Sequence, residues 1–347
     1  MRTLALAVLL ALGLPSAARS AACSPLNCAP SQFTFAHGTM AGYRTSAHGP
    51  VTVVDLRTGR AVHALPEGIT AGRVLVHRAG RTIEWYDMRR GTRVATAPLV
   101  RPERLVGVSQ DGSRAVTLRL APGGGTELTI VSRHARRALA IPGRDWDFDA
   151  LAGDNLFLIK YLPAGGYQVR LLHLSTGRLE AAPLKDPHES GTIWGQPFSR
   201  LASPDGRYLF TLYISGNGAA MVHELDVHRA TARCIDLPGT GDYGSAATWA
   251  LELRGRTLWA ASPGYGRVVA IDVLRRTVTR TFRIDLPYWN VANGTRAALS
   301  PDGTRLALAN QEQVAVFGVA DGRLVRRDRS GAVAVAYSPA GRLWTLF

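Results

Sequence analysis

Three stretches of the chain, Lys185 to Pro197, Pro238 to Ala246 and Asp285 to Thr295, concentrate side chains that could act on a ligand. They carry His188, Glu189, Trp194, Gln196, Asp242, Tyr243, Tyr288, Trp289, Asn290 and Asn293. Aromatic rings beside amides and carboxylates suit a sugar, a peptide or a polymer end, because a ring stacks on an apolar face while polar groups fix orientation. His188, Glu189, Asp242 and Asn290 could equally transfer protons or hold a metal in an enzyme. A third use needs no ligand: Trp194, Tyr243 and Trp289 could close the ends of apolar cores. None of the spacings singles out a catalytic residue.

A second cluster, Arg144-Asp145-Trp146-Asp147-Phe148-Asp149, alternates acid with aromatic. On a strand this points Asp145, Asp147 and Asp149 to one side. Three carboxylates on one side are costly unless neutralised, either by a hard cation such as calcium or by arginines. A helix-loop-helix calcium loop would need Gly and a later Glu where Ala150 and Leu156 stand, so arginine pairing is the expected outcome and no metal is assigned. Gly239-Thr240-Gly241-Asp242-Tyr243-Gly244 fits the dinucleotide spacing G-x-G-x-x-G. The segment after it, Ala247 to Leu253, alternates like a strand and no βαβ unit surrounds it, so a nucleotide cofactor is not expected. There is no G-x-S-x-G elbow and no Cys-x-x-Cys or His-x-x-x-His pair. His63, His77, His173 and His223 fall in strand-like runs where structural histidines are the default. No cofactor is assigned.

The elements that would position these groups are short strands. With 46% hydrophobic residues, 19% charged residues, 36 Gly and 19 Pro, the chain is globular and rich in turns. A turn of Ser-x-Asp-Gly type recurs as Ser109-Gln110-Asp111-Gly112, Ser203-Pro204-Asp205-Gly206 and Ser300-Pro301-Asp302-Gly303, with a variant at Ser338-Pro339-Ala340-Gly341. Pro presets the second turn position and Gly accepts the positive φ that follows. Gly-rich connections lie at equivalent places, Pro122 to Gly125, Pro163 to Gly166, Ser215 to Gly218 and Pro263 to Gly266. Hairpins follow at Val51 to Ala64, Thr82 to Ala97, Glu127 to Ile141, Tyr167 to Pro183, Ala220 to Ile235, Arg267 to Phe282 and Gln313 to Arg326. The steps from Val51 to Gln313 average about 44 residues, the length of a four-stranded propeller blade.

This periodicity predicts an all-β fold, a single β-propeller of seven four-stranded blades over residues 41–347. Its weakest blade takes an innermost strand from Leu65 to Gly72. Val333 to Phe347 reads as the first two strands of a blade and Pro50 to Ala64 as the last two. N- and C-terminal strands closing one blade would hide the sheet edges. In such a ring the connections between successive blades gather on one face, which brings the three long stretches side by side.

At these residues a resemblance appears. Ser203-Pro204-Asp205-Gly206-Arg207-Tyr208-Leu209 and Ser300-Pro301-Asp302-Gly303 resemble the blade turn of WD-repeat-like β-propellers. Val51-Thr52-Val53-Val54-Asp55-Leu56-Arg57-Thr58-Gly59-Arg60 and Val268-Val269-Ala270-Ile271-Asp272-Val273 resemble the YVTN repeat of exported bacterial propellers. The Trp-Asp blade ending is absent, which favours the bacterial type. The resemblance implies a fold more than a function. Exported propellers include lactone hydrolases and lyases, so the expected binding or interaction module has a lactonase-like enzyme as its alternative.

The 41 basic residues exceed 26 acids by 15, yet only Lys160 and Lys185 are lysines. The arginines are scattered, so the charge favours an anionic envelope polymer or partner protein over nucleic acid. Residues 1–20 read as a signal peptide: Arg2, an apolar run from Leu4 to Leu14, then small residues up to a cut after Ser20. Residues 21–40 form a lead-in. Ser20-Ala21-Ala22-Cys23 also resembles a lipoprotein box, though Ser20 stands where Leu is usual. The expected product is a secreted monomer with no membrane span in the mature chain. Cys23 and Cys28 could pair, and Cys234 reads as a buried strand residue.

Overall fold

The computed structural model describes residues 33–37, 39–45, 49–239, 241–286, 289 and 294–347. The signal peptide, its cleavage point, Cys23, Cys28, Tyr288, Asn290 and Asn293 lie outside them.

Antiparallel sheets succeed one another along the chain. The first blade is β1 (Phe33–His37), β2 (Met40–Tyr43), β3 (Val51–Asp55) and β4 (Arg60–Leu65). The second is β5 (Ile69–Ala71), β6 (Val74–Ala79), β7 (Thr82–Asp87) and β8 (Thr92–Pro98), and the third is β9 (Arg104–Val108), β10 (Arg114–Leu120), β11 (Thr126–Ser132) and β12 (Arg136–Ile141). The fourth has three strands, β13 (Trp146–Ala152), β14 (Asn155–Tyr161) and β15 (Tyr167–His173). The fifth is β16 (Gln196–Ala202), β17 (Tyr208–Ile214), β18 (Ala220–Asp226) and β19 (Thr231–Leu237). After the single helical turn α1 (Tyr243–Ala246) comes the sixth, β20 (Ala250–Arg254), β21 (Thr257–Ser262), β22 (Arg267–Asp272) and β23 (Thr277–Arg283). The seventh is β24 (Arg296–Leu299), β25 (Arg305–Ala309), β26 (Val314–Gly318) and β27 (Leu324–Asp328), and β28 (Ala334–Tyr337) with β29 (Leu343–Leu346) ends the chain.

The protein is therefore a seven-bladed β-propeller, as the repeat predicts. Its closure takes a different form. β28 and β29 make a two-stranded sheet of their own, while β1 and β2 supply the inner strands of the first blade. The C-terminal sheet wedges between the seventh and first blades. Val335 packs with Ala298, Ala309 and Val314 on one side, and Ala334, Ala336 and Leu346 pack with Ala41, Val54 and Leu56 on the other. The other apolar clusters likewise each join two successive blades, so buried surface runs round the whole ring.

Local chemistry explains the repeat. In the turn after an inner strand the serine hydroxyl donates to the aspartate and accepts the N–H of the next strand's first residue. Ser109 Oγ lies 2.5 Å from Asp111 and 2.9 Å from Arg114 N, and Ser300 Oγ lies 2.5 Å from Asp302 and 2.9 Å from Arg305 N. The third strand of several blades ends in an aspartate, Asp55, Asp87, Asp226 or Asp272, whose carboxylate accepts the N–H groups of the following turn. Much of the acid content is spent on these turns. The Ser300 hydroxyl and the Thr304 N–H hold the Asp302 carboxyl down to about 2. A depressed carboxylate stabilises the fold above its unfolded value near about 3.9 and loses that contribution as pH falls through about 2. Ser300→Ala is expected to move the Asp302 titration toward 3.9, read by carbon-detected NMR of the side chain.

Blades touch where side chains are absent. A Cβ on Gly107 of β9 would sit 2.3 Å from the Phe148 ring of β13. Gly107→Ala is expected to lower stability by about 1–3 kcal/mol, measured by denaturant unfolding, because ring and strand must separate.

Candidate functional site

Connections between blades and the hairpins joining second to third strands share one face. Thr126, beginning β11, donates to the Gly143 carbonyl at 2.9 Å. Gly166 touches Ile193 and Trp194, Gly218 touches Asp242, and Gly264 touches Ser245. The long connections thus lie on Gly-rich hairpins, whose missing side chains make the seat.

On this face Trp194 is 64% exposed and Tyr243 40% exposed. Trp194 lies over Gly165 and Gly166, whose φ of 97° and 70° favour glycine. It precedes β16 by two residues, with exposed Gln196 opening the strand. Tyr243 packs edge-on against Phe198 of β16 with ring centroids 5.9 Å apart. Both exposed rings therefore flank one inner strand.

The remaining expected residues have other surroundings. Trp289 is buried among Leu299, Phe317 and their neighbours, and its indole N–H donates to Thr295 Oγ1 at 3.1 Å. It closes a core between the sixth and seventh blades. Asp242 caps α1, accepting the N–H groups of Gly244 at 2.9 Å and Ser245 at 3.0 Å. Those bonds, led by the Ser245 hydroxyl, hold its carboxyl below the ordinary carboxylate value. His188 and Glu189 are exposed. They follow Asp186, which bonds the Cys234 N–H of β19 at 3.0 Å and so ties this part of the connection to the outer strand of the fifth blade. Asp186 thus serves as a tether with His188 and Glu189 next to it in the chain, and Asp242 serves as a helix cap. Cys234 is half-buried, and desolvation pushes its thiol up to about 12.

The acidic run breaks the expected alternation. Asp145 has φ of 65° and precedes β13, and a bulge between Phe148 and Ala150 shifts Asp149 out of register. Asp147 is 3.5 Å from Arg104 and Asp149 is 2.9 Å from Arg200, so arginines neutralise both buried carboxylates. No group of three or more metal-ligating side chains occurs among the described residues. The G-x-G-x-x-G segment leads into one helical turn and then an antiparallel strand, without the βαβ unit a dinucleotide requires.

One polar assembly carried no local sequence signal. Around the Asp149–Arg200 pair, Tyr161, Tyr167, Tyr213 and His223 pack in a chain, with centroid spacings of 6.1, 5.9 and 6.1 Å. Burial raises the phenols and lowers His223, leaving both types neutral near pH 7. Tyr213 and His223 are 3% and 5% exposed, out of a substrate's reach. The cluster fastens the fourth blade to the fifth. In the sixth blade, burial pushes the Glu252 carboxyl up to about 7.

No protein-family model matches the chain, and no curated protein resembles it in sequence. Solved structures do. AztD of Citrobacter koseri, in two structures of which one is apo, matches over 88% of this chain and 86% of that one, with TM-score 0.50 and 14% identity. The likeness is one of fold alone. The Cps50 (Swd1) β-propeller domain of Myceliophteria thermophila matches over 89% and 90% of the two chains, with TM-score 0.44 and 12% identity. Among the described residues no helix is long and apolar enough to cross a membrane.

Proposed function

We propose that this chain is an exported propeller of the YVTN type that acts as a binding module, holding an anionic envelope polymer against Trp194 and Tyr243. The observation that carries the reading is the pair of exposed rings flanking β16 on the loop-bearing face. The titratable groups support it from the other side. Asp147 and Asp149 are paired with arginines and Asp242 caps a helix, so these acids serve the scaffold. An enzyme would gather titratable groups at the channel mouth, whereas a binder presents rings and positive charge. Of the 41 basic residues all but Arg2 and Arg19 lie from Ala21 onward, so 39 stand against 26 acidic ones, a net charge that draws anionic chains to the molecule as a whole.

The test is thermal unfolding of the chain from Ala21 onward with dextran sulfate as probe. The unfolding midpoint is expected to rise, and to rise less as salt increases. In the Trp194→Ala/Tyr243→Ala variant the probe is expected to bind at least about tenfold more weakly, a loss of about 1.4 kcal/mol or more. Equal affinity in variant and wild type sinks the reading.

A further inference from the structure

We infer that the face opposite Trp194 and Tyr243 docks on an anionic lipid bilayer through a rim of arginines, carried by the turns after the third strands. The blades are antiparallel, so a chain entering each inner strand from the loop-bearing face meets the other face at the turns after its first and third strands. A contact between blades puts both kinds of turn at one level. Asn155, just past the first turn of the fourth blade, donates to the Val227 and His228 carbonyls in the last turn of the fifth, at 3.3 and 3.4 Å.

Every blade contributes charge. The turns after the third strands, residues 56–59, 88–91, 133–135, 174–178, 227–230, 273–276 and 319–323, hold nine arginines and one acid, Asp321. Arg57, Arg178 and Arg276 pair with Asp55, Glu180 and Glu224. Arg89, Arg90, Arg133, Arg229, Arg275 and Arg323 are exposed and form no ion pair among the described residues. Asp55, Glu224 and Asp226 are buried behind the turns, so guanidinium groups are what the rim presents. Nearer the channel, Asp111, Asp205 and Asp302 are each followed within three residues by an arginine, so the centre of the face does not reverse the sign of the rim. The other face mixes its charges: Arg144 and Lys185 stand beside Asp145, Asp186 and Glu189.

The layout fits a plane. A linear polymer touches only the turns along its path, and a single-stranded nucleic acid needs aromatic rings to stack on, whereas these turns contain no Phe, Tyr or Trp. A bilayer meets all the turns at once. Leu274, 50% exposed beside Arg275, adds an apolar side chain at the level of the headgroups. Each arginine held near an anionic leaflet strengthens binding about fivefold, so a rim of them suffices without a membrane-spanning segment. Docked in this way, the disc turns Trp194 and Tyr243 away from the membrane.

The probe is vesicles of equal parts phosphatidylglycerol and phosphatidylcholine, with pure phosphatidylcholine as control, co-sedimented with the chain from Ala21 onward. Binding to the anionic vesicles alone is expected, and it is expected to weaken as salt rises. Arg89→Ala/Arg90→Ala in the second blade and Arg229→Ala/Arg275→Ala across the ring are each expected to weaken it about 25-fold. All four side chains are exposed, so the unfolding midpoint should not move. Hydrogen exchange on the vesicles is expected to protect residues 227–230 and 273–276 and to leave residues 194–198 unchanged. Absent binding, or equal binding to both kinds of vesicle, overturns the proposal. So does a loss from only one of the two pairs, which means a linear chain or a local anion site, and so does protection of residues 194–198 in place of the turns. The dextran sulfate test reads the opposite face, so either proposal can fail without the other.

Discussion

Arg200→Ala is expected to lower the unfolding free energy by about 3–5 kcal/mol, the cost of leaving a buried carboxylate without its partner. Arg200 Nη1 lies 2.9 Å from Asp149, and the two side chains are 10% and 6% exposed. The pair joins the inner strands of the fourth and fifth blades, with Tyr161, Tyr167, Tyr213 and His223 packed around it. Little water can therefore enter to solvate the stranded Asp149. Removing both charges together in Asp149→Leu/Arg200→Leu is expected to cost much less, because an apolar pair of similar volume needs no counter-ion. Urea unfolding of the two variants checks this. A double variant as unstable as the single one would show that packing, and not charge, holds this seam.

The second large effect is on pH dependence. Desolvation raises the Glu252 carboxyl from 4.5 to about 7, against a hydrogen bond from the Leu299 backbone and the charge of Arg254, which both lower it. A carboxyl raised on folding binds its proton more tightly in the folded state. Its contribution is then fully present below the unfolded value and is lost as pH rises through about 7. Between about pH 4.5 and 7.5 this group alone should remove about 3 kcal/mol of stability. Glu252→Gln is expected to flatten that slope and to exceed wild type in stability at pH 8. Unfolding midpoints from pH 4 to 8 for both proteins measure it, and parallel curves would refute the assignment.

How much of this was legible in the chain depends on whether a feature is local. The turn at Ser300-Pro301-Asp302-Gly303 is written in four adjacent residues, and its hydrogen bonds close within them and Arg305. The hairpins other than Tyr167 to Pro183 were legible for the same reason, whereas the short β5 between Leu65 and Gly72 carries little local signal and follows from the blade's need for an innermost strand. The Tyr167 to Pro183 hairpin is the exception, because its expected outer strand does not form as a regular strand and the fourth blade keeps three. Leu179, Leu184 and Ile193 touch β15 only as isolated bridges, since Pro183 and Pro187 interrupt the ladder. Part of the stretch read as a binding loop is therefore structural. Closure was mistaken in detail because whether β29 pairs with β3 or packs on it depends on contacts nearly 300 residues apart, such as Trp344 on Leu56.

The candidate site divides along the same line. Trp194 and Trp289 are indistinguishable as aromatics beside polar residues. Which is exposed and which buried follows from the Gly165–Gly166 seat under one and the Leu299–Phe317 core around the other. Asp145, Asp147 and Asp149 alternate perfectly in sequence, but a positive φ and a bulge separate them in space.

The most direct measurement is hydrogen exchange by mass spectrometry on the chain from Ala21 onward with and without dextran sulfate. The account predicts protection concentrated in residues 162–166, 194–198, 215–219 and 241–246, where the connections carrying Trp194 and Tyr243 lie on their hairpins. Protection confined to the outer strands β8, β12 and β23, with these segments unchanged, would mean that charge alone attracts the polymer and that the loop-bearing face is not its site.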